Sequence, residues 1–245
     1  MAEQTVDVSV VVPVKNEQEC VAELAREVTE GMEAAGVPWE CVWVNDGSTD
    51  GTLGVLQEIC EKDPRHRWLD LERNYGQSGA MSVGFRAARG AVIASMDGDG
   101  QNDPHDYPRL LERLRQGDAD MVNGIRQKRQ DSFVRKISSK LANGFRNRMT
   151  RESVTDVGCA IRVFRKECFS NIPVFKGMHR FFPTLVRMQG FRITEIPVNH
   201  RPRTQGVTKY GINNRLWVGI ADTFAIRWML WRMVFPKVKE HSRPQ

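Results

Sequence analysis

Several things this sequence lacks narrow its reading first. Its 245 residues hold five cysteines, Cys20, Cys41, Cys60, Cys159 and Cys168, and no two of them form a CxxC pair. An odd set without that spacing argues against a disulfide framework or a zinc site and fits a reducing cytosol, with cysteines serving as small apolar residues. No Walker A sequence is present, and Gly76-Gln77-Ser78-Gly79 lacks the glycine spacing of a dinucleotide-binding turn. Classical NTPase and dinucleotide-dependent chemistries are therefore poor fits. There is no fixed-period repeat, and the start, Met1–Val8, is short and polar, so no signal peptide is expected.

Acidic residues are scarce in the second half. Residues 1–125 carry 11 Lys+Arg against 23 Asp+Glu, whereas residues 126–245 carry 25 against 7. The net +6 thus hides an acidic half beside a strongly basic one. A basic half of this size suits a polyanionic partner: nucleic acid, anionic lipid or a phosphorylated substrate. No RNP-like, zinc-finger or KH signature supports nucleic acid, so a non-catalytic basic module is the weaker reading.

What is present in the first half is strand–helix alternation. Val6–Val14 is a valine-rich, largely apolar run of the kind buried on both faces of a sheet. Gln18–Ala35 reads as a helix stopped by Gly36 and Pro38, followed by a strand at Trp39–Asn45 and a helix over Leu53–Glu61. A short strand at Trp68–Leu71, a helix ending near Arg89, a strand at Ala91–Met96, a helix over Tyr107–Gln116 and a strand at Met121–Ile125 continue the pattern. This implies an α/β fold with a mainly parallel sheet covered by helices. The second half breaks the rhythm: a basic helix Phe133–Met149, a strand Gly158–Phe164, a helix His179–Met188, a strand Arg192–Val198, a basic loop His200–Gly211 and a Trp-rich helix Ile212–Phe235. We read residues 1–211 as one domain, a nucleotide-binding sheet to about 125 and an acceptor-side extension from 126. Residues 212–245 are then a C-terminal interface helix with a basic tail.

In an open parallel sheet, ligands sit beyond the carboxyl ends of the strands. Three polar loops leave such ends: Pro13–Glu17, Asn45–Gly51 and Met96–Pro104. In extended backbone, Asp97, Asp99 and Gln101 project to one side and would aim three oxygen ligands at one point. Mg²⁺ or Mn²⁺ suits such a set, with water and substrate phosphates completing the shell and the metal neutralising charge on a leaving diphosphate. An EF-hand reading fails because Asn102 stands at the glycine position and Pro108 at the glutamate position.

VVPVKNE at Val11–Glu17, VNDGSTDGT at Val44–Thr52, RNYGQSGAMSVGF at Arg73–Phe85 and MDGDGQNDP at Met96–Pro104 resemble family 2 glycosyltransferases. Their order and spacing are similar to the polyprenyl-phosphate branch, typified by dolichol-phosphate mannose synthase and undecaprenyl-phosphate sugar transferases. DVGCAIRVFRK at Asp156–Lys166 and HRPRTQGVTKYG at His200–Gly211 resemble its later motifs, so the likeness runs from about residue 6 to 235. The resemblance implies a GT-A fold, Rossmann-like with helices on both faces, and an inverting transfer from a UDP- or GDP-sugar. By motif position, Pro13, Lys15 and Glu17 would line the nucleoside pocket and Asp46 would contact the base. Asp97, Asp99 and Gln101 would hold the metal, and Arg203 and Lys209 would reach the diphosphate. Gly98 and Gly100 depart from the family, where bulkier residues are frequent, and point to a looser metal loop.

A phosphate monoester has a second pKa of about 6 and is largely dianionic at neutral pH, so a lipid-phosphate acceptor needs positioning cations more than a base. Arg126, Arg129, Arg135 and Arg146 follow the last strand of the first half, and Arg126 and Arg135 are the candidates for that role. Asp156 matches a proposed base in related enzymes; for a phosphate acceptor it would position a sugar hydroxyl or an arginine. A glycan or other soluble acceptor would instead demand Asp156 as base. The final helix carries Trp217, Phe224, Trp228, Trp231 and Phe235 but is interrupted by Asp222, Arg227 and Arg232, which suits an interfacial helix better than a span. The expectation is peripheral attachment to the inner face of the cytoplasmic membrane, the alternative being a helix packed on the core or on a second copy in a homo-oligomer.

Overall fold

The computed structural model describes residues 5–127, 144, 148–150, 154–202 and 212–236, with side chains for all of these except 212–217. Seven strands among them form one sheet: β1 Val8–Val14, β2 Trp39–Asn45, β3 His66–Asp70, β4 Val92–Ser95, β5 Met121–Arg126, β6 Arg162–Arg165 and β7 Ile193–Val198. Their spatial order is β3-β2-β1-β4-β6-β5-β7. All neighbours are parallel except β6, which runs antiparallel to both β4 and β5.

β1 carries valines on both of its sides because both faces of the sheet are covered. Val8, Val10, Val12 and Val14 join Cys41 and Trp43 of β2 in a core with helices α1 (Val21–Ala35) and α4 (Tyr107–Arg115). Val11, Val42, Val44 and Ile93 point the other way, onto α3 (Gln77–Ala87) and a phenylalanine cluster of Phe85, Phe164, Phe169 and Phe182. Full burial of one such side chain contributes about 1.5–3 kcal/mol, so the two-sided strand anchors the whole domain. α2 (Thr52–Lys62) connects β2 to β3, and α5 (Phe182–Met188) precedes β7.

The chain steps outward from β1 to β3 and then crosses back to place β4 on the other side of β1. That reversal is the topological switch point, where the divergence of the flanking loops opens a crevice at the carboxyl ends of β1 and β4. The antiparallel β6 delivers the segment before it, Asp156–Ile161, to this same edge. This is why the strand is shorter than the Gly158–Phe164 stretch that apolar patterning suggests: its first residues line the site instead of extending the ladder.

At the opposite end of the sheet, Glu40 of β2 is fully buried. Its carboxylate accepts hydrogen bonds from the Ser9 hydroxyl (2.7 Å), the Arg89 backbone N–H (2.8 Å) and the Nε atoms of Arg67 and Arg89 (2.8 Å each). Burial alone would raise its pKa, but these donors hold it below the usual carboxylate range. Removing one partner of a buried ion pair costs about 3–5 kcal/mol, and the low end applies because both arginines keep solvent contact. Glu40→Ala is therefore expected to lower the melting temperature by roughly 6–12 °C. A shift under about 2 °C in a thermal melt would show that the network contributes little.

The last helix, α6 (Ile212–Arg232), turns Ile226 and Thr223 inward, with Met229 and Leu230 against the phenylalanine core. Phe224, Trp228 and Trp231 face outward at 54%, 59% and 83% exposure, one stripe at i, i+4 and i+7 spacing. Among the described residues, no helix is long and apolar enough to cross a membrane.

Candidate active site

The loops after β1 and β2 are tied together by their polar side chains. The Asn16 backbone N–H donates to Ser48 Oγ (2.9 Å), the Thr49 N–H donates to Asn16 Oδ1 (2.8 Å), and the Glu17 N–H donates to Thr52 Oγ1 (3.0 Å). The Gly51 N–H donates to Gln18 Oε1 at 2.7 Å. Much of the polar NDGSTDGT stretch thus fixes the crevice wall. Asn16 takes a positive φ of 52° to do so, a conformation asparagine tolerates better than most residues. Pro13, Lys15 and Glu17 are half-buried along this wall. Asp46 is buried: its N–H donates to Val14 O, and its Oδ1 accepts the Tyr75 N–H at 2.7 Å. One carboxylate oxygen therefore already anchors the Arg73–Gly76 turn over the crevice.

After β4 the chain enters the acidic loop. Asp97 takes a backbone-to-side-chain bond from its N–H to Asn102 Oδ1 (3.1 Å), and Asp99 Oδ1 accepts the Gln101 N–H (3.2 Å). The loop is not loosened by its glycines, as the departure from the family pattern suggested. A Cβ on Gly98 would lie 2.5 Å from Val14 Cγ1 and 2.8 Å from Pro13 O, so only glycine allows the loop to pack on β1. Gly100 adopts φ +71°, which closes the turn toward Gln101.

Burial, and next the Asp99 carboxylate, push the Asp97 carboxyl up to about 7; Arg162, Arg126 and a hydrogen bond from Gln77 Nε2 pull the other way. A carboxylate pair held this close is short of positive charge, and a divalent cation supplies it. The oxygen set of Asp97, Asp99 and Gln101 fits Mg²⁺ or Mn²⁺ chemically, and substrate oxygens would complete it. Among the described residues no three His, Cys, Asp or Glu side chains are grouped so as to hold a metal ion.

Opposite this loop, Arg126 at the end of β5 and Asp156 are locked together. Arg126 Nε donates to Asp156 Oδ2 and Nη2 to Oδ1, both at 2.7 Å, and the Arg126 N–H also reaches Oδ2 at 3.2 Å. Asp156 is itself held from behind: the Thr155 and Asp156 N–H groups donate to Glu195, and Asn123 Nδ2 donates to the Asp156 carbonyl.

Four side chains at the site drew no role from the sequence. Gln77 touches Asp97, as above. His179 Nδ1 lies 2.9 Å from Ser78 Oγ and docks its turn onto the start of α3. Arg162 is buried within β6 although it belongs to the DVGCAIRVFRK stretch. Arg201 clamps the acidic loop: its N–H donates to Gln101 O (2.9 Å), Nη1 to Glu27 Oε1 (2.6 Å), and Nη2 pairs with Asp103 Oδ1 (2.9 Å). The only signal for Arg201 was its place at the start of the HRPRTQGVTKYG stretch. Arg129, Arg135, Arg146, Arg203 and Lys209 lie outside the described residues.

The sequence profile of Glycosyl transferase family 2 matches residues 9–172. Dodecaprenyl-phosphate galacturonate synthase of Rhizobium johnstonii is 37% identical over 231 residues, 93% of this chain and 68% of that protein. Undecaprenyl-phosphate 4-deoxy-4-formamido-L-arabinose transferase of Edwardsiella ictaluri is 39% identical over 207 residues, 84% of this chain and 63% of that protein. The chain thus spans about two thirds of the length of such relatives. Among solved structures, mannosyl-3-phosphoglycerate synthase from Rubrobacter xylanophilus superposes with TM-score 0.70 at 16% identity, covering 98% of this chain and 79% of the other. A mannosyltransferase from Pyrobaculum calidifontis in complex with GDP-Man and Mn²⁺ gives TM-score 0.61 at 20% identity, covering 90% and 62%. At these identities the structural likeness speaks for the GT-A-like fold.

Proposed function

This chain belongs to glycosyl transferase family 2, and from that premise we propose that it transfers a glycosyl group from a UDP- or GDP-linked sugar to a polyprenyl phosphate at a membrane surface. The observation that carries the reading is that Arg126 Nη2 lies beside Gly158, 3.0 Å from where a Cβ would stand, and Gly158 lines the same cavity as Asp97, so a cation suited to an acceptor phosphate stands near the carboxylates suited to a donor diphosphate. The relatives' names supply the same acceptor chemistry, dodecaprenyl and undecaprenyl phosphate. We assign donor binding to residues 1–125 and acceptor binding to the part beyond.

Pro13, Lys15, Glu17 and Asp46 would receive the nucleoside. Asp97, Asp99 and Gln101 would hold a Mg²⁺ or Mn²⁺, which supplies charge neutralisation for the leaving diphosphate. Arg126 would orient the acceptor phosphate through its remaining donor surface, with Asp156 fixing the guanidinium plane. A phosphate oxygen of the acceptor forms the new bond to the anomeric carbon from the face opposite the nucleotide. The bond from that carbon to the diphosphate breaks, its electron pair stays on the nucleoside diphosphate, and the configuration inverts. No proton has to leave the attacking oxygen, because the monoester is already dianionic.

The outward stripe of Phe224, Trp228 and Trp231 supports peripheral attachment, since tryptophan favours the headgroup level of a bilayer. Losing two interfacial tryptophans should cost about 2 kcal/mol of membrane affinity. Trp228→Ser with Trp231→Ser is thus expected to weaken partitioning onto anionic liposomes roughly 30-fold with an unchanged melting curve. Equal sedimentation of both proteins would remove the membrane from the reading.

The deciding assay combines the chain with Mn²⁺ or Mg²⁺, undecaprenyl phosphate and a panel of nucleotide sugars, read by mass spectrometry of the lipid extract. A glycosylated lipid phosphate is expected. Transfer only to a soluble glycan would overturn the acceptor assignment.

A further inference from the structure

The cavity beside Asp97, about 150 Å³ in volume, has His179 and Arg180 in its wall. Both belong to a short turn, Met178–Phe181, that follows Gly177. On one side the turn is docked on the start of α3 by the contact of His179 with Ser78. On another it meets α6. Ile226 of that helix is fully buried in the same cluster as Met178 and Phe181, with Met229 and Leu230 packed against it. A single turn of chain thus joins the cavity wall to the last helix.

Helix α6 reaches this turn with a charge as well as with apolar side chains. Gly177 holds φ +93°, and a Cβ there would stand 2.8 Å from Asp222 Oδ2 and 3.6 Å from Arg180 Nη2. The glycine leaves room for a carboxylate of α6 to come up beside the Arg180 guanidinium. Burial raises the Asp222 carboxyl above its ordinary range, and the Arg180 charge pulls the other way. Asp222 Oδ2 is enclosed, yet it accepts no hydrogen bond among the described residues. A buried oxygen left so is destabilising, so Asp222 is a poor device for holding the helix in place. Such a breach of local rules is expected where function requires the group.

Phe224 lies two residues further on and projects from the other side of the helix. It begins the exposed stripe that Trp228 and Trp231 continue. The helix therefore carries aromatic groups suited to bilayer headgroups on one side and a carboxylate beside the cavity wall on the other. Thr223 and Ile226 are buried on it, so a change in how the helix sits passes through packed side chains to the turn.

We propose that α6 relays its seat on a lipid surface to the active-site cavity: Asp222 is a positioning residue that sets Arg180 and the turn bearing His179, and attachment of the aromatic stripe to lipid steadies this wall. The proposal rests on the attachment and transfer readings above and adds their coupling. An enzyme whose acceptor resides in a bilayer gains from it, because the site is completed where the acceptor is found.

Hydrogen exchange of peptides spanning Gly177–Phe181 tests the relay, on the full chain with and without acceptor-free vesicles of phosphatidylglycerol and phosphatidylethanolamine. In the wild type, vesicles are expected to slow exchange in the turn about 5- to 150-fold, the usual range of coupling between two sites. Asp222→Asn should sediment with vesicles as the wild type does, keep or raise its melting temperature, and lose the slowing. Arg180→Gln removes the other half of the pair and should lose it too. The double variant should do no worse than either single, since the two residues act as one unit. Turnover should follow the same pattern: acceptor-free vesicles raise kcat toward a water-soluble short-chain prenyl phosphate in the wild type and not in Asp222→Asn, with KM for the nucleotide sugar unchanged. Exchange in the wild-type turn that ignores vesicles, or that responds to them equally in both single variants, would overturn the relay while leaving the transfer reading intact. Vesicle-dependent exchange with no product from any prenyl phosphate would strike the transfer reading and leave the relay standing.

Discussion

Asp99→Ala is expected to reduce glycosyl transfer by about 10²–10³-fold or more while leaving the fold standing, since a lost electrostatic contact to the reacting charge commonly costs that much. The side chain sits half-exposed on a loop at the carboxyl edge of the sheet, and among the described residues its one bond goes to the Gln101 N–H at 3.2 Å. The loop's position is held by other means. Asn102 is buried and bonded to the Asp97 N–H, Gly98 packs on Val14 and Pro13, and Arg201 clamps Gln101 and Asp103. Removing the Asp99 carboxylate would therefore delete the proposed ligand without deleting the scaffold. Titration of UDP and GDP into the wild type should show affinity that rises with Mn²⁺ and falls with EDTA, and Asp99→Ala should show neither response. Nucleotide binding by the wild type that is indifferent to EDTA would sink the metal assignment altogether.

The crevice was legible from the sequence because each of its loops follows a strand whose burial is written in the strand itself. Val8–Val14 can be apolar at every position but Ser9 only if both faces are covered, and a doubly covered parallel strand puts its ligand at the carboxyl end. The polar residues at Lys15, Asp46 and Asp97 then have to converge, and they do so at one edge. What escaped depends on partners distant in the chain. The four residues of β6 give no pattern that separates antiparallel from parallel pairing, and their direction is set by where β4 and β5 leave a gap. Gly98 read as a source of slack because the contact that requires it comes from Val14, 84 positions earlier. Nothing in the sequence set Arg162 apart; the Phe182 ring 5.4 Å from its guanidinium and the strands on either side are what enclose it. Arg201 lay two residues from Arg203, the position the family pattern favours, yet Arg201 is the one described in contact with the acidic loop.

Asp156 separates the two acceptor chemistries. Were it the base for a hydroxyl acceptor, its carboxylate would need room for the incoming oxygen, and Asp156→Asn would remove a proton acceptor worth about 10²–10⁴-fold in rate. In the structure both carboxylate oxygens accept from Arg126, and the pair is nearly enclosed at 17% and 11% side-chain exposure. The role this geometry favours is positioning: Asp156 would fix the guanidinium, and the guanidinium would meet the phosphate. Asp156→Asn, Arg126→Gln and the double variant are expected to lose transfer by similar factors of about 10–100, with the double variant no worse than the poorer single, because residues acting as a unit are not additive. The loss should appear as a raised KM for the lipid phosphate, while the acid limb of the pH profile stays where it is in the wild type. Additive losses, or an acid limb that vanishes in Asp156→Asn, would identify Asp156 as a base and move the acceptor from a phosphate to a hydroxyl.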